Sequence, residues 1–232
     1  MSSTNNQNPL AEIIEREHAL ARADIKALGW KPALAASQKR QGAMATLIAS
    51  TLSPGIACKA ECWYCCYFKV EVRAEEVFQM VDHVRAHFSP ERVKRLQHDV
   101  AENVNALRGL SHEQQLAAHR KCAFLDDGKC SIYEVRPARC RTCHATDVAG
   151  CKQSWEEPAN LNIPNTLVPA LLYTGEAHLK GARQAFADAG YDNEVYEMNA
   201  ALEMALADST PKRRFEKGKR AFVGGSQPAK ST

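Results

Sequence analysis

At 232 residues the chain is long enough for one ordinary domain, or for a domain with helical extensions. With 45% hydrophobic and 25% charged residues it has the profile of a globular protein, and a net charge of +3 singles out no partner. Its longest apolar runs, such as residues 167–173, are too short to span a bilayer, so no membrane partner is expected.

The N-terminus, Met1-Ser-Ser-Thr-Asn-Asn-Gln-Asn-Pro9, has neither a basic start nor an apolar core, and a cytoplasmic protein is expected. Residues 1–8 read as a disordered start. From Leu10 to Leu28 the apolar positions Leu10, Ile13, Ile14, Leu20, Ile25 and Leu28 recur at helical spacing, and Gly29 is the stop. A second helix is predicted from Pro32 to about Thr51, ended by Ser53-Pro54-Gly55. Tyr67–Val72 alternates with period two and reads as a short strand. Ala74–Phe88 carries Val77, Met80, Val81 and Val84 on one helical face. Ser89 and Pro90 then form the cap and first position of a helix lasting to Gly109. Ser111-His112-Glu113-Gln114 has the form of a capping box.

Asp127-Gly128, between two short apolar pieces, predicts a hairpin joining Cys122 to Cys130. Pro137 reads as the first residue of a short helix with Cys140 and Cys143 one turn apart. Beyond Cys151 a Pro- and Asn-rich loop leads to helices over about Thr166–Ala189 and Asn193–Ala207, then to a basic tail. The expected fold is mainly α: helices around a small, irregular, cysteine-rich metal core with a short β-hairpin. The expected division is a disordered 1–8, a helical segment 9–52, a metal-binding domain 53–155, a helical segment 156–210, and a basic, disordered tail 211–232.

The nine cysteines are the informative residues. They make up roughly 4% of the chain, below the ~8–10% of disulfide scaffolds, and the count is odd. Most fall into two blocks, Cys58, Cys62, Cys65 and Cys66, then Cys122, Cys130, Cys140 and Cys143. Thiols grouped this way in a reducing compartment point to metal ligands or redox groups. Sulfurs two or three residues apart can turn toward one ion, and thiolate suits zinc or the iron of an iron–sulfur cluster. The 55 residues between Cys66 and Cys122 could leave and return as helices, closing both blocks into one site at a cost of only a few kcal/mol. Arg136, Arg139 and Arg141 could offset the excess negative charge, or be solvated or paired with carboxylates.

The run Cys122-Ala-Phe-Leu-Asp-Asp-Gly-Lys-Cys130-Ser-Ile-Tyr133-Glu-Val-Arg136-Pro137-Ala-Arg-Cys140-Arg141, preceded by Cys58–Cys66, resembles the YkgJ-like cysteine-cluster family. That family is also described as the zinc- or iron-chelating CxxCxxCC domain, and the likeness spans roughly residues 55–145. The resemblance implies metal chelation by Cys58, Cys62, Cys65, Cys66, Cys122, Cys130 and Cys140, with either an iron–sulfur cluster or Zn2+ as cofactor. Some relatives resemble flagellin lysine N-methylases, which tilts the choice toward iron–sulfur and leaves a cluster-dependent methyltransferase as the alternative to a non-enzymatic role in structure, redox or metal handling. The chain departs from the family label in its first spacing, three residues rather than two. Cys143 joins the ligand set by helical spacing. Cys151 reads as a bystander, and His144 as a possible nitrogen replacement.

Several weaker signals have plainer readings. Cys58-x3-Cys62-x-Tyr64-Cys65 also resembles the radical S-adenosylmethionine signature, but residues 74–120 read as helices without the strands such enzymes alternate with them. His83 and His87 lack the His-Glu-x-x-His pattern and read as a surface pair. His119 reads as a solvated helix end, and Trp63 and Tyr64 as a shield for the metal or as core. The segment Lys212–Arg220 could touch RNA or an acidic protein. No aromatic recognition motif supports nucleic acid, and a protein partner stays open.

Overall fold

In the computed structural model, which describes residues 8–59, 61–164 and 166–223, the chain is mainly helical. Helix α1 (Pro9–Leu28) begins where Asn8 Oδ1 accepts the Leu10 amide at 3.0 Å, and ends at Gly29 with φ 82°, a conformation open to glycine without strain. Helix α2 (Trp30–Ala49) runs back along it. Both pack against α8 (Pro169–Asp188), so the helical segments expected at the two ends of the chain form one layer. The closest approach is at Gly181, where a Cβ would stand 2.4 Å from the Ile14 carbonyl oxygen. A polar knot ties the three helices. Arg40 of α2 donates to both Glu17 oxygens, at 2.7 and 2.8 Å, and to Asp24 at 2.7 Å, and His178 of α8 lies between Glu17 and Ser37.

The apolar core lies on the other side of α2. Helices α3 (Ala74–His87) and α4 (Pro90–Leu107) bring Val77, Phe78, Met80, Val84, Leu96 and Val100 against Leu202 of α9 (Met198–Ala207). Helix α4 starts as expected, with Ser89 Oγ accepting from the Arg92 amide. Helix α5 (His112–Ala117) carries the Ser111/Gln114 capping box. No strand interrupts residues 74–118 among the described residues, which removes the alternating framework of the radical-enzyme reading.

The strand expected over residues 67–72 shrinks to β1 (Glu71–Val72), which pairs antiparallel with β4 (Tyr196–Glu197). The predicted helix over 193–207 therefore begins only at Met198, where Glu197 accepts the Asn199 and Ala200 amides. The hairpin is confirmed: β2 (Leu125–Asp126) and β3 (Lys129–Cys130) flank Asp127 and Gly128, whose φ values of 46° and 76° suit a tight hairpin turn.

The segment expected as a disordered tail is folded as far as residue 223. Pro211 opens the last turns of helix, α10 (Thr210–Glu216), and Phe215 and Phe222 are buried against Phe78. Burying a phenylalanine is worth about 2–3 kcal/mol, enough to hold a short basic segment down. Lys212 reaches back to Asp82 at 3.1 Å. Residues 1–7 and 224–232 lie outside the described residues. No described helix is long and apolar enough to cross a membrane.

Candidate metal centre

All nine cysteines are free thiols. The first block leaves α2 through a loop that turns at Lys59–Cys62, where the Cys62 amide donates to the Lys59 carbonyl at 3.0 Å. Glu61 takes φ 76° in this turn and holds Lys129 of the hairpin at 3.1 Å. The turn brings Cys62 near enough to Cys58 for each thiolate's charge to bear on the other. A 3-10 turn, Tyr64–Tyr67, follows and presents Cys65 and Cys66 side by side.

The two blocks meet directly. The Cys122 amide donates to the Cys66 carbonyl at 2.7 Å, so the chain returns through α3, α4 and α5 to the residue where it left. The hairpin then turns Cys130 toward Cys122, and its Gly128 packs on Trp63. Pro137 caps α6 (Ala138–Thr142) rather than starting it, one residue later than expected. Glu76 Oε1 of α3 accepts the Ala138 amide at 2.7 Å and so sets the height of Cys140. Thr142 is wedged against Gly175 of α8, where a Cβ would stand 2.5 Å from its methyl carbon. Cys143 follows as the residue capping α6, its sulfur 4.0 Å from Thr142 Oγ1.

A second junction lies beyond α6. The Ala57 amide donates to the Ala145 carbonyl at 2.8 Å, and the Ala145 amide donates to Cys58 Sγ at 3.3 Å. The sequence gives no sign of α7 (Ala149–Glu156), which replaces part of the expected loop and packs on the 3-10 turn. On α7, Trp155 meets Trp63 with ring centres 5.3 Å apart, and Cys151 lies one helical turn before it on the same face. His119 also differs from expectation: its ring lies 4.8 Å from Tyr67 and 5.3 Å from Trp155, inside an aromatic cover rather than at a solvated helix end.

The electrostatics trace two neighbourhoods sharing Cys65. Burial pushes Cys122 up to about 12, and raises Cys130 and Cys140, with the like charges of Cys65 and of one another adding to it. Burial also pushes Cys151 up to about 11, and Cys58, Cys62 and Cys65 add to that. For Cys65 the hydrogen bond with Cys66 is the largest cause of a strong upward shift, although the residue as a whole is exposed. Cys143 is raised mainly by burial, with Cys65 a smaller contributor. Arg136 acts the other way, favouring the thiolates of Cys65, Cys130 and Cys140. Its guanidinium lies 4.1 Å over the Tyr133 ring, and its Nε is buried without a partner. Arg141 donates to the Arg136 and Glu134 carbonyls, whereas Arg139 pairs with Glu176. His83 and His87 stack at 4.3 Å, and a ring nitrogen of His87 bonds the His83 carbonyl, so that pair is spent locally.

Residues 57–162 match the model of the CxxCxxCC family, described as "Putative zinc- or iron-chelating domain". The match covers a little under half of the chain and makes this segment similar to that domain. No curated protein and no solved structure matches the chain. The CxxCxxCC segment takes in all nine cysteines, including Cys143 and Cys151.

The donor set of the matched segment fits a thiophilic metal: clustered, mostly half-buried thiols, a cation able to offset their charge, and an aromatic cover. Among the described residues no three His, Cys, Asp or Glu side chains already stand at metal-holding geometry. Burial favours the protonated form of the Cys122, Cys130 and Cys140 thiols. Metal uptake should therefore release protons, and apparent affinity should rise with pH. Each proton displaced contributes about a tenfold rise per pH unit. A chelator-competition titration of zinc between pH 6 and 8, with an indicator for released protons, checks this; a flat profile would contradict it.

Proposed function

We propose that the protein is a thiolate metal carrier or metal-stabilised module, holding zinc or an iron–sulfur cluster within its CxxCxxCC-like segment. The observation that carries this reading is the Cys122–Cys66 backbone bond, which joins the end of the first cysteine block to the start of the second. The principal ligands are Cys65, Cys122, Cys130 and Cys140, whose charges act on one another, with Arg136 as their cation. Four sulfurs are the number that a structural zinc site or a cluster takes. Cys66 and Cys143 stand beside this group as supporting thiols.

Cys58, Cys62 and Cys151 form a second set, with His144 as its fourth donor. A ring nitrogen of His144, Nε2, bonds the Arg141 carbonyl at 2.9 Å, which leaves Nδ1 for a ligand. Burial keeps this imidazole neutral, the form that binds metal. When bound, the metal supplies a rigid cross-link between distant segments, or an electron if it is an iron–sulfur cluster. Nothing in the geometry favours methyl transfer over this reading.

Anaerobic purification with metal analysis and a visible spectrum tests it. Iron with acid-labile sulfide and brown colour selects the cluster; colourless protein with stoichiometric zinc selects zinc; protein free of both metals sinks the reading. Cys151→Ser is expected to halve the metal content. Unchanged content would return Cys151 to the role of bystander.

A further inference from the structure

A cavity of about 470 Å³ lies behind the metal domain, between α1, α6, α8 and the start of α3. That volume falls within the range of small-molecule sites. Arg73 lines it, and its side chain is out of the ordinary. The residue is only 7% exposed, its Nε is spent on Glu75 at 2.7 Å, and its two terminal nitrogens, Nη1 and Nη2, are buried with no hydrogen-bond partner. Glu75 Oε2 is unpaired as well and does not satisfy them. A buried guanidinium with two open donors carries a desolvation cost that a ligand anion would remove.

Three further cations line the same cavity, Arg139, Lys180 and Arg183. Arg139 is paired with Glu176, which leaves Lys180 and Arg183 at the mouth. Arg183 is exposed as a residue and lies near enough to Arg73 to feel its like charge, which Glu75, Glu176 and Glu76 counter in part. The remaining wall holds apolar Leu10, Ile14 and Tyr173 and three carboxylates, Glu71, Glu76 and Glu176, of which Glu76 is occupied by the Arg73 and Ala138 amides; together they would repel a dianion.

We propose that this cavity binds a small organic monocarboxylate, its carboxylate received by Nη1 and Nη2 of Arg73 and its apolar body lying against α1 and α8. Two parallel N–H donors match the two oxygens of a carboxylate. The site is separate from the thiols and does not depend on which metal they hold.

Calorimetry on the full chain tests this with hexanoate and benzoate as probes, hexanamide as the uncharged control, and inorganic phosphate as the competing anion. Saturable one-to-one binding of a carboxylate is expected, at least tenfold tighter than hexanamide. Arg73→Gln should abolish it. Because that change leaves Glu75 buried and unpaired, the variant Lys180→Gln/Arg183→Gln at the exposed mouth serves as a second measure. It should weaken binding about tenfold with the melting temperature unchanged. No saturable heat, equal binding of hexanamide, indifference to both variants, or phosphate binding more tightly than either carboxylate would each overturn the proposal.

Discussion

Replacing Cys122 with serine is expected to empty the metal set it belongs to while leaving most of the helices in place. Cys122 is half-buried, its thiol is pushed up to about 12 by its surroundings, and its amide makes the bond that joins the two cysteine blocks. Serine preserves that amide and nearly the same volume, so the backbone junction survives. What it removes is the soft donor, and a hydroxyl does not replace thiolate for zinc or for cluster iron. Zinc binding supplies about 10–16 kcal/mol in model peptides, as much as a whole domain's stability, so loss of one of four ligands outweighs any local rearrangement. The apolar core of α3, α4 and α9 lies outside the sulfur cluster, and it should keep the far-ultraviolet helical signal. The expected result is about half of the wild-type metal content, the share held by the second set, with helical content largely retained. Full metal content in Cys122→Ser would remove Cys122 from the ligand set. Collapse of the helical signal would show that the metal also holds the helical core.

Arg40→Leu carries the second large effect, in the polar knot rather than the metal domain. Glu17 is 3% exposed, and Arg40 gives it two hydrogen bonds of 2.7 and 2.8 Å. Removing the cation leaves a buried carboxylate with only His178, 3.5 Å away, as a charge partner. Breaking a buried pair this way costs about 3–5 kcal/mol, and the partial exposure of Arg40 places the expectation at the lower end. His178 does not replace the cation, because burial pushes it down and favours its neutral form. Adding Glu17→Gln should restore most of the stability. Denaturant unfolding of wild type, single and double variants checks both, and a single variant within about 1 kcal/mol of wild type at pH 8 would contradict the argument.

Much of the helical frame was legible in the chain. Leu10–Leu28, the Ser89-Pro90 start and the Ser111/Gln114 capping box each combine apolar periodicity with a local stop or cap, and these are signals that neighbouring residues carry by themselves. The Asp127-Gly128 hairpin was legible for the same reason, because its turn demands two positive φ values that few residue pairs tolerate. Strand β4 was not, since two residues carry no period, and its existence depends on β1 lying alongside. Residues 211–223 were misread as a tail because basic side chains dominate the local composition, whereas Phe215 and Phe222 find the core only in three dimensions.

The cysteine pattern by itself determined that this is a thiol-rich, metal-chelating segment, because ligand type and close spacing are properties of the local chain. Which sulfurs share a neighbourhood was decided only by the tertiary structure. Cys66 and Cys122 are brought together by three helices that return the chain to its starting point, and Cys151 joins Cys58 and Cys62 because α7 packs on the 3-10 turn through Trp155 and Trp63. The unpaired terminal nitrogens of Arg73 were equally invisible in the sequence. An unmet hydrogen bond is a property of what surrounds a side chain, and that is set by packing between distant segments rather than by the residues next to it.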